Sequence, residues 1–355
     1  MSRADRVTAR LAERELDLLL VTNLVNVRYL TGFSGTNGLA IVGPDTRRFL
    51  TDSRYVERAK AEVSGFDLQP APQELRVALG EGWPPGELRV GFEDQHVSVR
   101  RHAELRETLP DRLELVGAGG LVEEERAVKE PAELDAIRAA AALVDEIDAW
   151  LSEWGVVGRT ERSVALALEH EMRVRGAEDP SFPSIVAAAE NGALPHATPR
   201  DVAIPEGTLI TLDIGARLDG YCSDCTRTWA TGPLDDDLAE LYATVLRAQE
   251  AALAAVRPGP EGREVDAVAR DIIAAAGHGE HFGHGLGHGV GLEIHEAPRL
   301  ARTADGRLAA GNVVTVEPGV YLPGRGGARI EDLVVVTEAG HDVLSATPKA
   351  LTTVA

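Results

Sequence analysis

Residues 209–228 constrain the fold more tightly than any other stretch of the chain. Leu209-Ile210-Thr211-Leu212-Asp213-Ile214-Gly215 alternates with the period of a strand, Asp219-Gly220 is a strong two-residue hairpin turn, and Tyr221-Cys222-Ser223-Asp224-Cys225-Thr226-Arg227-Thr228 runs back. With Asp219 and Gly220 as the loop, Asp224 lies opposite Gly215 and Asp213 opposite Thr226. Faces alternate with period two, so Asp213 and Asp224 are diagonal neighbours on one face, roughly 7–8 Å apart at the backbone. Two carboxylates then converge over a residue that has no side chain. The pair is costly unless one aspartate keeps a proton or a cation sits between them. The bland alternative is two aspartates on a solvated face.

A second hairpin repeats the theme. Residues 312–322 and 328–336 read as strands flanking a Pro/Gly-rich turn around Gly324, and the even spacing of Glu317 and Glu331 faces them across that ladder. Glu317 sits in an apolar run, where an unpaired carboxylate is expensive. Between the hairpins, residues 281–296 carry His281, His284, His288 and His295 among many glycines. So many glycines exclude a stable helix and predict a permissive loop that presents imidazoles. Such a tract alone could be an exposed loop; beside four carboxylates in apolar surroundings it points to metal. Carboxylates with one histidine suit Mn or Co, with Zn or Fe admissible.

Composition narrows the partners. The 355 residues hold 36 Lys+Arg against 57 Asp+Glu, a formal charge of −21, with no basic cluster. Nucleic acid and anionic membranes are therefore excluded as partners. An apolar fraction of 44% is enough for a sizeable core. No apolar run is long enough to span a membrane, no signal region follows the charged start, and two cysteines cannot staple the chain. A cytoplasmic protein is expected. Cys222 and Cys225 form a C-x-x-C pattern, but on a strand they point to opposite faces and read as packing residues.

Short apolar runs at 18–21, 39–42, 49–50 and 88–91 read as strands, with helix-like stretches at 54–63 and 97–109, so residues 1–122 form a small α/β domain. A charged passage from Glu123 precedes Pro131, which starts an alanine-rich helix to about Trp154. Further helices are predicted at 160–175, 235–256 and 264–275, all within a second domain, residues 123–355.

The strings Leu212-Asp213-Ile214-Gly215, Ser223-Asp224-Cys225-Thr226-Arg227-Thr228, Gly283-His284-Gly285-Leu286-Gly287-His288, Glu293-Ile294-His295-Glu296, Glu317-Pro318-Gly319 and Arg329-Ile330-Glu331-Asp332 closely resemble the metal-dependent Xaa-Pro peptidases, prolidase and aminopeptidase P. The resemblance runs over residues 123–355 and, more loosely, over the first domain, including Asn26-Val27-Arg28-Tyr29-Leu30-Thr31-Gly32-Phe33. It implies an α+β pita-bread catalytic domain behind a creatinase-like α/β domain, and a dinuclear site. Asp213 would chelate one ion, His288 and Glu317 the other, and Asp224 and Glu331 would bridge. Two divalent ions bring the pKa of water towards neutrality for attack. Glu317 is implied as general base, and His196, His284 and His295 as histidines that orient the substrate and stabilise the intermediate. Four carboxylates and a hydroxide balance two divalent ions to within one charge. The segment upstream of His196 departs from the family, which carries a Ser-Gly pair where this chain reads Ile185-Val186-Ala187-Ala188-Ala189-Glu190-Asn191.

Arg329 shares a face with Glu331 and is expected to anchor it at the edge of the substrate site. Arg47 and Arg48 read as a solvated turn or, more sharply, as the fork that binds a dipeptide's terminal carboxylate. The implied substrates are short proline-containing peptides. Prolidase action is favoured over aminopeptidase P, and members are often homodimers. Two other readings are a non-enzymatic binding module of the same fold, opposed by retention of all five ligands, and a methionine aminopeptidase, opposed by the extra first domain.

Overall fold

The computed structural model describes residues 1–354. The chain divides into two compact units, Met1–Arg126 and Ala127 onward. The expected boundary after residue 122 falls inside the helix Leu121–Arg126. Arg6 and Arg10 pair with Glu125, Arg10 and Arg14 pair with Glu124, and Arg126 Nη1 donates to the buried Asn26 at 2.7 Å. The charged passage thus closes the first unit instead of opening the second.

The first unit is a six-stranded mixed sheet in the order Asp67–Ala71, Thr46–Asp52, Gly38–Gly43, Leu18–Val21, Leu88–Phe92, Leu113–Gly117. The four inner strands are those expected. The two edges were not, because their exposed polar residues interrupt any apolar run. Helices Val56–Glu62 and Val99–Thr108 lie within the predicted stretches. The Asn26 motif forms the helix Leu24–Thr31, capped by Asn23 and ended by Gly32 in the left-handed region. Arg47 donates to the Gly43 and Thr46 carbonyls and to Asp5, while Arg48, only 8% exposed, donates to Gln69 and the Gly82 carbonyl. Both guanidinium groups are taken up inside the first unit. Neither the solvated turn nor the carboxylate fork describes Arg48, and the fork role is not retained for Arg47.

In the second unit the four predicted helices run Pro131–Trp154, Glu161–Val174, Asp236–Ala255 and Gly262–Ala275. Pro131 opens the first, with Glu130 and Glu133 as a reciprocal cap. Its buried Ile137, Ala140, Ala141, Val144, Ile147 and Leu151 recur at helical spacing. None of the described helices is long and apolar enough to cross a membrane.

Both hairpins keep the expected register and both interrupt it at their acids. Asp213 pairs with Thr226, and Arg217 with Cys222 beyond the break, around a turn in which Asp219 and Gly220 have φ 49° and 81°. The ladder opens at Gly215, Ser223 and Asp224. A Cβ on Gly215 would lie 2.1 Å from the Ser223 carbonyl oxygen, so only glycine allows this approach. In the second hairpin Val316 pairs with Asp332 and Gly319 with Arg329, leaving Glu317 and Glu331 at the opening. There the Glu331 amide turns to the Thr226 carbonyl, 3.1 Å away, and the Glu317 amide to Leu286 at 2.8 Å. Each acid's backbone is thus fastened by a different segment. Cys222 and Cys225, as expected of opposite faces, enter different apolar clusters as free thiols.

Two substitutions test this backbone. Gly215→Ala has no room for its methyl and should cost about 2–3 kcal/mol in chemical denaturation. Ala189, in the segment where the family carries Ser-Gly, has φ 50°. Ala189→Gly should therefore stabilise the chain by roughly 0.5–1 kcal/mol, the strain relieved less the entropy glycine adds to the unfolded state.

Candidate metal centre and active site

The tract expected to be a loop contains a strand. Gly287–Gly289 is hydrogen-bonded between Glu296–Leu300 and Val313–Val316. A Cβ on Gly287 would lie 2.0 Å from the Thr315 carbonyl oxygen. None of the glycines from 283 to 291 has a positive φ, so at Gly287 the residue serves close approach and not an unusual backbone angle. Squeezed between two strands, this segment delivers His288 to the opened ladders.

Asp224, His288 and Glu331 bring one ligand atom each to within 4.8 Å of the others. His288 Nδ1 faces the Gly289 carbonyl at 3.0 Å, so Nδ1 carries the proton. Its bare Nε2 then faces Asp224 Oδ2 at 3.5 Å and Glu317 Oε1 at 3.4 Å. Burial lowers the His288 pKa to about 4, which keeps the ring neutral. A lone pair thus confronts two carboxyl groups, the donor arrangement of a cation site. Asp213 adds a second sign: Oδ2 accepts from Arg329 Nη2 at 2.7 Å, while the buried Oδ1 has no hydrogen-bond partner among the described residues. Oxygen and imidazole donors of this kind fit divalent ions, which Asp213, Asp224, His288, Glu317 and Glu331 would hold.

The protein's own groups leave much of this charge uncompensated. Burial, then the neighbouring carboxylates Glu331, Asp213 and Glu317, push Asp224 well above the usual carboxylate range. Glu331, 1% exposed, is raised likewise by burial and by Glu317 and Asp213, although Thr226 Oγ1 donates to it at 2.7 Å. Burial raises Glu317 to about 8.

Arg329 does not touch Glu331 as expected. Its Nη2 takes Asp213, its Nε takes Thr226 Oγ1 at 3.1 Å, and Thr226 passes the contact on to Glu331. Its Nη1 donates to Tyr321 Oη at 2.7 Å and to the Pro195 carbonyl. Tyr321 Oη in turn lies 2.9 Å from His284 Nε2, while His284 Nδ1 faces the Gly285 carbonyl. Burial lowers His284 to about 4, so the neutral ring accepts from Tyr321. Both nitrogens of His284 are engaged within the chain. The ring of His295 meets His288 edge-on at 4.3 Å, and His295 and His196 are exposed at the rim. The charge of His196 reaches both His284 and His295, lowering each.

Thr226 and Tyr321 were missed from sequence. Tyr321 lies four residues beyond Glu317, and the period-two rule that placed Glu317 could have placed it too. Thr226 was already paired with Asp213 but read only as a strand residue.

Asp224→Asn should lose bound metal together with activity, measured as metal content per chain; full occupancy would remove Asp224 from the ligand set. In metal-free protein, Asp224, Glu317 and Glu331 bind protons more tightly folded than unfolded, so their contribution to stability falls as pH rises. The depressed His284 and His288 work oppositely, but only below about pH 6.5. Metal-free protein should therefore lose thermal stability between about pH 6.5 and 8, and added Mn should abolish the loss.

Residues 135–338 match the model of metallopeptidase family M24, and residues 3–128 that of the creatinase/prolidase N-terminal domain. An uncharacterized peptidase of Bacillus subtilis is 41% identical over 337 residues, covering 95% of each chain. A solved Xaa-Pro dipeptidase from Bacillus anthracis superposes with a TM-score of 0.94 at 37% identity, covering 99% of both chains. An X-Pro aminopeptidase from Thermotoga maritima does so at 0.91 and 32%, covering 99% of this chain and 100% of the other. With its five ligand-type residues gathered on two interrupted hairpins and a glycine-lined strand, the chain belongs to metallopeptidase family M24.

Proposed function

We propose that the chain is a two-metal peptidase that hydrolyses the Xaa-Pro bond behind an N-terminal residue, with prolidase action on dipeptides. The observation that carries the peptidase reading is the bare Nε2 of His288 facing Asp224 and Glu317, backed by Glu331 and the unpartnered Oδ1 of Asp213. Two divalent ions, Mn or Co with Zn or Fe admissible, would supply Lewis-acid activation of water and of the scissile carbonyl.

The chain's own groups do the rest. Glu317, with Oε1 3.4 Å from His288 Nε2, takes up and returns a proton. Arg329 fixes Asp213 and, through Thr226, Glu331, so the ligands are oriented before substrate arrives. Tyr321, held between Arg329 and His284, keeps His284 in one tautomer. His196 and His295 at the rim orient the peptide. An Xaa-Pro bond has no amide N–H to grip, so recognition falls on the ends of the substrate.

Arg299 favours the dipeptide. It is exposed on the strand Glu296–Leu300, has no hydrogen bond or ion pair among the described residues, and its charge lowers both His288 and His295. It replaces Arg47 and Arg48 as the guanidinium that binds a dipeptide's carboxylate. The likeness to the Thermotoga maritima aminopeptidase supports a second reading, action on longer peptides. A cytoplasmic location, supported by the two free buried thiols, and a homodimer, supported by the family resemblance, complete the reading.

Metal-free protein should regain Xaa-Pro hydrolysis with Mn or Co, and failure with every divalent ion would remove the peptidase reading. Arg299→Ala should reduce kcat/KM about tenfold or more for an Xaa-Pro dipeptide but little for the same peptide extended by two residues. Equal losses on both would favour the aminopeptidase.

A further inference from the structure

Lys129 is one of three lysines in the chain and the one that is buried, at 5% exposed. Burying an ammonium is costly unless it is paired, and the metal centre makes no use of this one. Its Nζ lies 3.0 Å from Glu296 Oε2, in an ion pair whose side chains are 1% and 5% exposed. The other oxygen of that carboxylate, Oε1, accepts from the Glu293 amide at 3.0 Å, and the Gly291 amide donates to the Glu293 carbonyl at 3.0 Å. A Cβ on Gly291 would lie 2.6 Å from Glu296 Oε2, so the carboxylate packs directly on that glycine. Glu296 thus ties the turn of residues 291–296 back on itself and to Lys129. What the turn carries is His295, exposed at the rim with its ring 4.3 Å from that of His288.

The backbone around Lys129 is fastened in turn. Its amide donates to the Gly311 carbonyl at 2.8 Å, and Asn312 Nδ2 donates to the Ala127 carbonyl at 2.8 Å. Gly311 and Asn312 lead into the strand Val313–Val316 and so to Glu317. The ammonium therefore refers the histidine-bearing turn to the same segment that delivers Glu317. We propose that Lys129 is a positioning residue for the peptidase reaction: through Glu296 it sets where His295 stands relative to the metal ligands, and with that how the peptide is oriented. This rests on the substrate-orienting role given to His295 above. Loss of the ammonium weakens the hold on Glu296 and lets the turn shift, and a displacement of about 1 Å in a substrate-positioning group can cost as much as about a hundredfold in rate.

The test uses metal-loaded protein and the variant Lys129→Met, which removes the charge, keeps a comparable stem and leaves the main-chain bonds of residues 127–129 in place. Amide hydrogen exchange across residues 291–296 should quicken about tenfold or more, with residues 313–316 and the metal content per chain unchanged. For an Xaa-Pro dipeptide, kcat/KM should fall about tenfold. In a His295→Ala background the same substitution should cost less than about twofold further, because Lys129 acts through that ring. A lysine that served stability alone would cost the same in both backgrounds. Glu296→Gln keeps the shape of the acid and removes its charge; it should reproduce the exchange and kcat/KM changes, and it carries the test if Lys129→Met fails to fold. Unchanged exchange at residues 291–296, undiminished kcat/KM, or equal losses with and without His295 would overturn the proposal. Exchange needs no turnover, so the anchoring of the turn is judged even if the parent protein cleaves no Xaa-Pro peptide, a result that removes the function reading instead.

Discussion

Burial and mutual repulsion of four closely held carboxylates shape the candidate metal site. Asp213, Asp224, Glu317 and Glu331 are held together by a backbone that does not let them separate, and three of the four are pushed towards their protonated forms. The contrast with the next residue is instructive. Asp332 points away from the site and receives Arg227, Gln249 and Lys349, so its charge is compensated within the chain. Glu331 receives one hydroxyl. Adjacent acids, one in the opening of the ladder and one starting the strand that follows, are thus treated differently: the scaffold compensates Asp332 and leaves Glu331 with a single side-chain donor.

Proton positions follow from a few carbonyls. Gly289 and Gly285 accept from the Nδ1 atoms of His288 and His284 and so direct both Nε2 lone pairs inward. One meets the carboxylates and the other meets Tyr321. Arg329 is the hub, since its guanidinium makes four hydrogen bonds, to Asp213, Thr226, Tyr321 and the Pro195 carbonyl. Its loss would loosen a metal ligand, a tautomer and the His196 segment together.

Sequence made the inner strands of the first unit and both hairpin registers legible because alternation and turn chemistry are local, while the gathering of Asp224, His288 and Glu331 was legible through the family resemblance. It placed the first-unit boundary four residues early, since the ion pairs that bind Glu124 and Glu125 to Arg6, Arg10 and Arg14 join positions more than a hundred residues apart. Distance along the chain also hid the real partners of Arg47, Arg48 and Arg329. The glycine tract was misread for a different reason: glycine marks both loops and tightly packed strands, and only the neighbours on either side distinguish them.

The interrupted ladders carry a consequence for how the protein matures. The ligands span residues 213 to 331, and the amides of Glu317 and Glu331 are fixed only when Leu286 and Thr226 are in place. No short segment holds a working set of donors. Pairings so far apart in sequence form more slowly than local ones, so the full donor set is expected only in the assembled chain. An ion that needs that full set would then be taken up by the folded chain.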